Sequence, residues 1–140
     1  MAGDRPTRVG TVIERHRDGT AFEATAAYCR AVRSGAAIAV SGTAATAPDG
    51  SALFPGDTYA QTREAFDRAV TAARALGADI RDTVRTRLFL APESDWREAV
   101  RAHREVFENV DPANTTLFVA GFIPEGVLVE VELDAWVVAE

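Results

Sequence analysis

Val127-Leu128-Val129-Glu130-Val131-Glu132-Leu133-Asp134-Ala135-Trp136-Val137-Val138 is the stretch on which the fold turns. Successive side chains of a strand point to opposite faces. Val127, Val129, Val131, Leu133, Ala135 and Val137 therefore share one apolar face. Glu130, Glu132 and Asp134 share the other, between Leu128 and Trp136. A strand that is apolar on one side and acidic on the other belongs in a sheet with one covered face and one face held for charge.

Working outward, residues 112–122 read as a preceding strand, joined to the last one by a turn at Pro124-Glu125-Gly126. Further back, Trp96, Ala99, Val100, His103, Val106 and Phe107 recur at three-four spacing, which predicts a helix capped by Ser94 or Asp95. Before it, residues 83–91 alternate as a strand, with Val84, Thr86, Leu88 and Leu90 on one face and Arg85, Arg87 and Phe89 on the other. An earlier helix starts at Asp57 or Thr58 and stops near Gly77, with Phe66, Ala69, Val70 and Ala73 as its apolar stripe. Residues 28–32 and 36–41 read as a hairpin closed at Ser34-Gly35, preceded by a brief helical turn over 22–27 and a first strand over 8–14. Residues 43–56, rich in Pro and Gly, are expected to order around a partner or ligand.

This order of elements is α+β, a single mixed sheet with two helices on one face, in one domain over residues 1–140. The uncovered face then carries Arg85 and Arg87 against Glu130, Glu132 and Asp134, interleaved with Phe89, Leu128 and Trp136. That mixture reads as an oligomer interface, with Glu132 and Asp134 as partners of the arginines.

Composition narrows the chemistry. The chain is 47% hydrophobic and 26% charged, ordinary for a globular domain. No run approaches the roughly 18 apolar residues of a membrane span, and the first residues lack the apolar core of a signal peptide, so a cytoplasmic protein is expected. A net charge of −6 argues against nucleic acid as a partner. Cys29 is the one cysteine and is far in sequence from His16 and His103, so neither a disulfide nor a metal site is expected. All 15 basic residues are arginine, which rules out catalysis through a lysine Schiff base. His16 reads as a solvated turn histidine and His103 as a structural one within its helical stripe, each ahead of a catalytic role.

The ordered set Tyr28-Cys29-Arg30-Ala31-Val32, Val40-Ser41-Gly42-Thr43, Tyr59-Ala60-Gln61-Thr62, Asp82-Thr83-Val84-Arg85-Thr86, Pro112-Ala113-Asn114-Thr115-Thr116 and Leu128-Val129-Glu130-Val131-Glu132 resembles the RidA (YjgF) family of enamine/imine deaminases. The resemblance implies a chorismate-mutase-like fold and a homotrimer with small-molecule clefts between subunits. It also implies cofactor-free hydrolysis of a small imine or enamine. On the matching positions, Tyr28 and Gly42 line the pocket and Glu130 positions the attacking water. Thr115 stands where many members carry a carboxylate-binding arginine, so the chain resembles an arginine-lacking branch. Arg30, on the face of Tyr28 by alternation, is the candidate substitute, and Thr116 completes the expected cleft. A family member that binds a small molecule without turning it over is the alternative.

Overall fold

The computed structural model describes residues 12–138. In chain order the elements are β1 (Ile13–His16), α1 (Ala21–Ala26), β2 (Ala31–Ser34), β3 (Ala37–Thr43), α2 (Thr58–Ala75), β4 (Thr83–Leu90), α3 (Trp96–Phe107), β5 (Ala113–Phe118) and β6 (Val129–Trp136), with a 3-10 turn at Ile80–Asp82. They build the expected α+β arrangement, one mixed sheet of six strands in the order β1-β2-β3-β6-β4-β5. The last strand in sequence is thus interior to the sheet. β3 and β4 both run antiparallel to it and hence parallel to each other, with α2 as the crossover between them. β5 returns through α3 to pair parallel with β4.

The alternation of β6 is realised along its length. Val129, Val131, Leu133 and Ala135 are buried, and Glu130, Glu132 and Asp134 are half-exposed on the other face. The buried row packs with Ile38, Val40, Leu88 and Leu90 beneath Phe66, Val70 and Phe107 of the two long helices. Burying each such side chain contributes about 1.5–3 kcal/mol relative to leaving it in water. Ala65, Ala69, Ala72 and Ala73 let α2 approach this surface closely.

Gln61 is wholly buried in the first turns of α2 and bonds to the segment that feeds β6. Its amide donates to the carbonyls of Phe54 (3.3 Å) and Gly126 (3.1 Å), while its carbonyl accepts from the Leu128 N–H at 2.8 Å. Thr58 adds a second tie, its hydroxyl accepting from the Asp95 N–H at 3.0 Å, at the cap of α3. His103 anchors α3 to the sheet. The Asn114 amide donates to the Thr86 hydroxyl (3.0 Å), which leaves that hydroxyl's proton for His103 Nε2 at 2.7 Å. The ring lies against Phe66 and Phe107, and burial pulls its pKa down, so it is held neutral.

Several sequence expectations are corrected. The register of β4 against β6 shifts between Thr83 and Arg85, so Val84 is bulged out and exposed while Thr83 and Thr86 take the inner positions. Trp96 and Val100 are exposed, and Ala102 takes the inward place beside Ala99. His16 ends β1 rather than sitting in a turn, and residues 8–11 of the expected first strand lie outside the described residues. Tyr28 and Arg30 precede β2, so strand alternation does not orient them. The 43–56 segment is organised by its own bonds. Thr46 bridges to Ala52, Leu53 N–H donates to Ala45 C=O at 2.9 Å, and Arg68 of α2 donates to the Ala44 and Thr46 carbonyls.

Gln61→Ala strands a buried N–H and two carbonyls, each an unpaired group costing about 1–3 kcal/mol where water cannot replace the amide. Urea unfolding is expected to show a loss of at least that size for Gln61→Ala and a change within about 0.5 kcal/mol for the exposed Val84→Thr.

Candidate functional site

The three carboxylates of β6 sit in different surroundings. Asp134 pairs with Arg87 at 3.3 Å. Neither Glu132 nor Arg85 is in a salt bridge among the described residues, so the expected ladder forms at one rung. Glu130 is half-buried and accepts no hydrogen bond from another residue among those described. Burial pushes its carboxyl above the ordinary range; the charge of Arg30 opposes that rise and the neighbouring Glu132 adds to it.

Gly42 creates the space that Glu130 occupies. The β3–β6 register shifts between Val40 and Thr43, and this bulge carries the Gly42 backbone over Glu130. A Cβ at position 42 would lie 2.7 Å from Glu130 Oε1. The absence of a Cβ leaves room here for the Glu130 carboxyl, and the Gly42 backbone conformation is one open to other residues.

Arg30 is buried beside Gly42. Its Nη1 donates to the Gly42 carbonyl at 2.6 Å and to the Thr43 hydroxyl at 3.1 Å, and its Nε pairs with Asp18 at 2.9 Å. The backbone is fastened too, with the Ser41 N–H donating to the Arg30 carbonyl at 2.9 Å. The Tyr28 ring lies 5.7 Å from the guanidinium carbon. Asp18 is a positioning residue, brought to Arg30 from a loop twelve residues earlier in the chain. Its carboxyl is pushed up by burial but lowered on balance by the Arg30 charge and by the hydrogen bonds it accepts from the Thr20 N–H and Arg30 Nε. Glu23, buried in α1, holds the same loop by accepting from the Gly19 and Thr20 N–H groups at 2.7 and 3.0 Å.

Tyr28, Arg30, Gly42 and Glu130 thus form one constellation across the β2 entry, the β3 bulge and β6. Thr115 stands apart from it. It shares the open face but lies in the row Thr115–Arg87–Glu132, whereas the row of Glu130 continues through Phe89 to Leu117. Two strand spacings alone separate Thr115 from Glu130 by about 10 Å. Thr116 pairs with Leu88 on the helix-covered side, its hydroxyl bonded to Asn114 Oδ1 at 2.8 Å. Within one chain the site is an open ledge. Two surface hollows lie elsewhere, one of about 650 Å³ between α2 and α3 and another beside His103 and Pro112. Among the described residues no group of three His, Cys, Asp or Glu side chains is placed to hold a metal, and no helix is long and apolar enough to cross a membrane.

Comparison with known proteins places this geometry in a family. The profile described as Endoribonuclease L-PSP matches residues 18–137. The uncharacterized protein SCO2049 of Streptomyces coelicolor is 41% identical over 125 residues, covering 89% of this chain and 92% of that protein. The crystal structure of Rv2704 from Mycobacterium tuberculosis, described as a member of the YjgF/YER057c/UK114 family, superposes with a TM-score of 0.81 at 35% identity, covering 90% of this chain and all of that one. The YjgF gene product of E. coli gives 0.68 at 27% identity, over 78% of this chain and 87% of its own.

The raised Glu130 carboxyl has a consequence for stability. A folded pKa above the ordinary 4.5 means that the unfolded chain releases this proton first, so the group subtracts stability as pH rises through and beyond that value. Glu130→Gln is expected to raise the melting temperature at pH 7 relative to the parent protein, and the gain should shrink towards zero at pH 4. Melting curves at both pH values measure it.

Proposed function

This chain belongs to the Endoribonuclease L-PSP (YjgF/RidA) family, and on that premise we propose that it acts on a small reactive imine or enamine by cofactor-free hydrolysis, with Glu130 as the working carboxyl. The observation that carries the reading is an unpaired, half-buried carboxyl with a raised pKa, pressed against a glycine backbone whose carbonyl a buried guanidinium holds. A carboxyl whose pKa moves towards neutrality can both take and return a proton, as general acid–base work requires. Hydrolysis of a C=N bond needs a water deprotonated as it adds to carbon and a proton delivered as nitrogen leaves. One carboxyl can serve both steps.

In this reading the protein is a homotrimer whose clefts between subunits cover the ledge. The open face supports it: Trp136, Leu117 and Phe89 lie among Arg85, Arg87, Glu132 and Asp134 with no helix over them. Thr115, distant from Glu130 within one chain, joins the ligand in such a cleft only as the contribution of a neighbouring copy, and Thr116, whose side chain faces the other side of β5, only through its backbone. Tyr28, Arg30 and Gly42 form its near wall. The chain is assigned to the arginine-lacking branch because Thr115 takes the place of the carboxylate-binding arginine.

A second reading, binding without turnover, is favoured by one observation. Among the described residues nothing hydrogen-bonds the Glu130 carboxylate, so no neighbour within the chain orients it for attack. RNA as substrate fits less well, because a chain of net charge −6 offers little to phosphates.

Glu130→Gln is expected to lower imine hydrolysis at least a hundredfold while native mass spectrometry still finds the trimer. Gly42→Ala should act through the same carboxyl, displacing it, and cost at least tenfold in turnover with stability changed by less than about 1 kcal/mol. Full turnover in Glu130→Gln removes the hydrolytic mechanism. Tight binding without turnover in the parent protein selects the second reading.

A further inference from the structure

The ledge beside Glu130 already restricts what it can bind. The Arg30 guanidinium has five N–H groups, and three are committed: Nε to Asp18, and both hydrogens of Nη1 to Gly42 C=O and Thr43 Oγ1. A bidentate grip on a carboxylate uses two neighbouring nitrogens, either Nε with Nη2 or Nη1 with Nη2. Each of those edges has lost one member. Arg30 therefore offers Nη2 alone, and its charge is already matched by Asp18.

The other direction from Glu130 is apolar. Phe89 is its cross-strand partner and Leu117 the next residue in the row. Leu117 is 41% exposed, so this wall is open to a ligand. Glu132 follows Glu130 on the same face of β6 without a salt-bridge partner among the described residues, which adds a second negative charge beside the ledge. Arg87, the nearest cation in the next row, is paired with Asp134. A carboxylate-bearing ligand brought onto this ledge meets the like charge of Glu132 and, on Arg30, no free guanidinium fork. An amine or iminium nitrogen on a small hydrocarbon body meets a carboxyl for its charge and an aromatic–aliphatic wall for its carbons.

We propose that the site takes a small amine-, imine- or iminium-bearing ligand without a carboxylate of its own, its nitrogen at Glu130 and its body against Phe89 and Leu117. The proposal rests on the reading of Glu130 as the working group and names the ligand class for it. Arg30 then acts as a scaffold: it fixes the Gly42 carbonyl and through it the bulge on which Glu130 rests. Asp18 is a specificity-determining residue, because it withholds the Nε edge of the guanidinium.

A matched pair tests this on the full-length protein. 1-Pyrroline and 1-pyrroline-2-carboxylate differ by the carboxylate, and binding is read by calorimetry with hydrolysis assayed alongside. The parent protein is expected to bind 1-pyrroline at least tenfold more tightly than its carboxylated analogue. Asp18→Ala, a change at a partly exposed loop position, frees the Nε–Nη2 edge and should lower that ratio at least fivefold by improving the carboxylated ligand. Preference of the parent protein for the carboxylated imine overturns the ligand class. If that preference comes with turnover that Glu130→Gln abolishes, the role of Glu130 survives and the class alone fails. Failure to bind or hydrolyse either compound overturns both. A ratio unmoved by Asp18→Ala overturns the part assigned to Asp18.

Discussion

Everything in this molecule depends on the pairing of β6 between β3 and β4. A strand inside a sheet is hydrogen-bonded along both edges, so its register cannot slip without breaking two ladders and reversing every side chain. The row Val129, Val131, Leu133 and Ala135 is held under two helices, and strict alternation then obliges Glu130, Glu132 and Asp134 to face outward. The carboxylates are where they are because the valines are where they are. What separates the three is the company each keeps: Asp134 finds Arg87, Glu132 has no ionic partner among the described residues, and Glu130 is covered by a glycine bulge.

The site is therefore a place where local rules are relaxed. β3 breaks its register at the point where Gly42 must pass over Glu130, and the guanidinium that stiffens this break is itself buried and neutralised. A carboxyl left half-buried without a hydrogen bond costs stability, a cost borne elsewhere by the close packing of α2 on the sheet and by the fully satisfied Gln61.

Period-two and three-four patterns carried most of the fold in the sequence, because burial on one face is what those periods encode. β6 and α2 follow them closely, whereas β2 starts at Ala31, three residues later than its pattern predicts. The pattern misled where something other than burial set the geometry. The extra residue at Val84 is a β-bulge, invisible to alternation, and Trp96 and Val100 look inward by spacing yet lie beyond the edge of what the sheet covers. Of the candidate site, Glu130 and Gly42 were legible as a charge on an apolar strand and a glycine after a strand. Tyr28 and Arg30 come together through a tethered loop rather than through the strand alternation first supposed. Asp18 escaped notice because an Asp-Gly pair is sufficiently explained as a turn, and its partner lies twelve residues away. The row that places Leu117, and not Thr115, across from Glu130 depends on the β4–β5 register, which no local pattern specifies.

The central claim is that Glu130 is an unpaired carboxyl whose ionisation is held back by burial. Side-chain carboxyl carbon NMR on protein labelled with 13C-glutamate reads this directly, with the Glu130 resonance identified by its loss in Glu130→Gln. The account predicts a titration midpoint clearly above the ordinary 4.5 for glutamate. A midpoint at or below that value would show a carboxylate already satisfied by its surroundings, and would contradict the account.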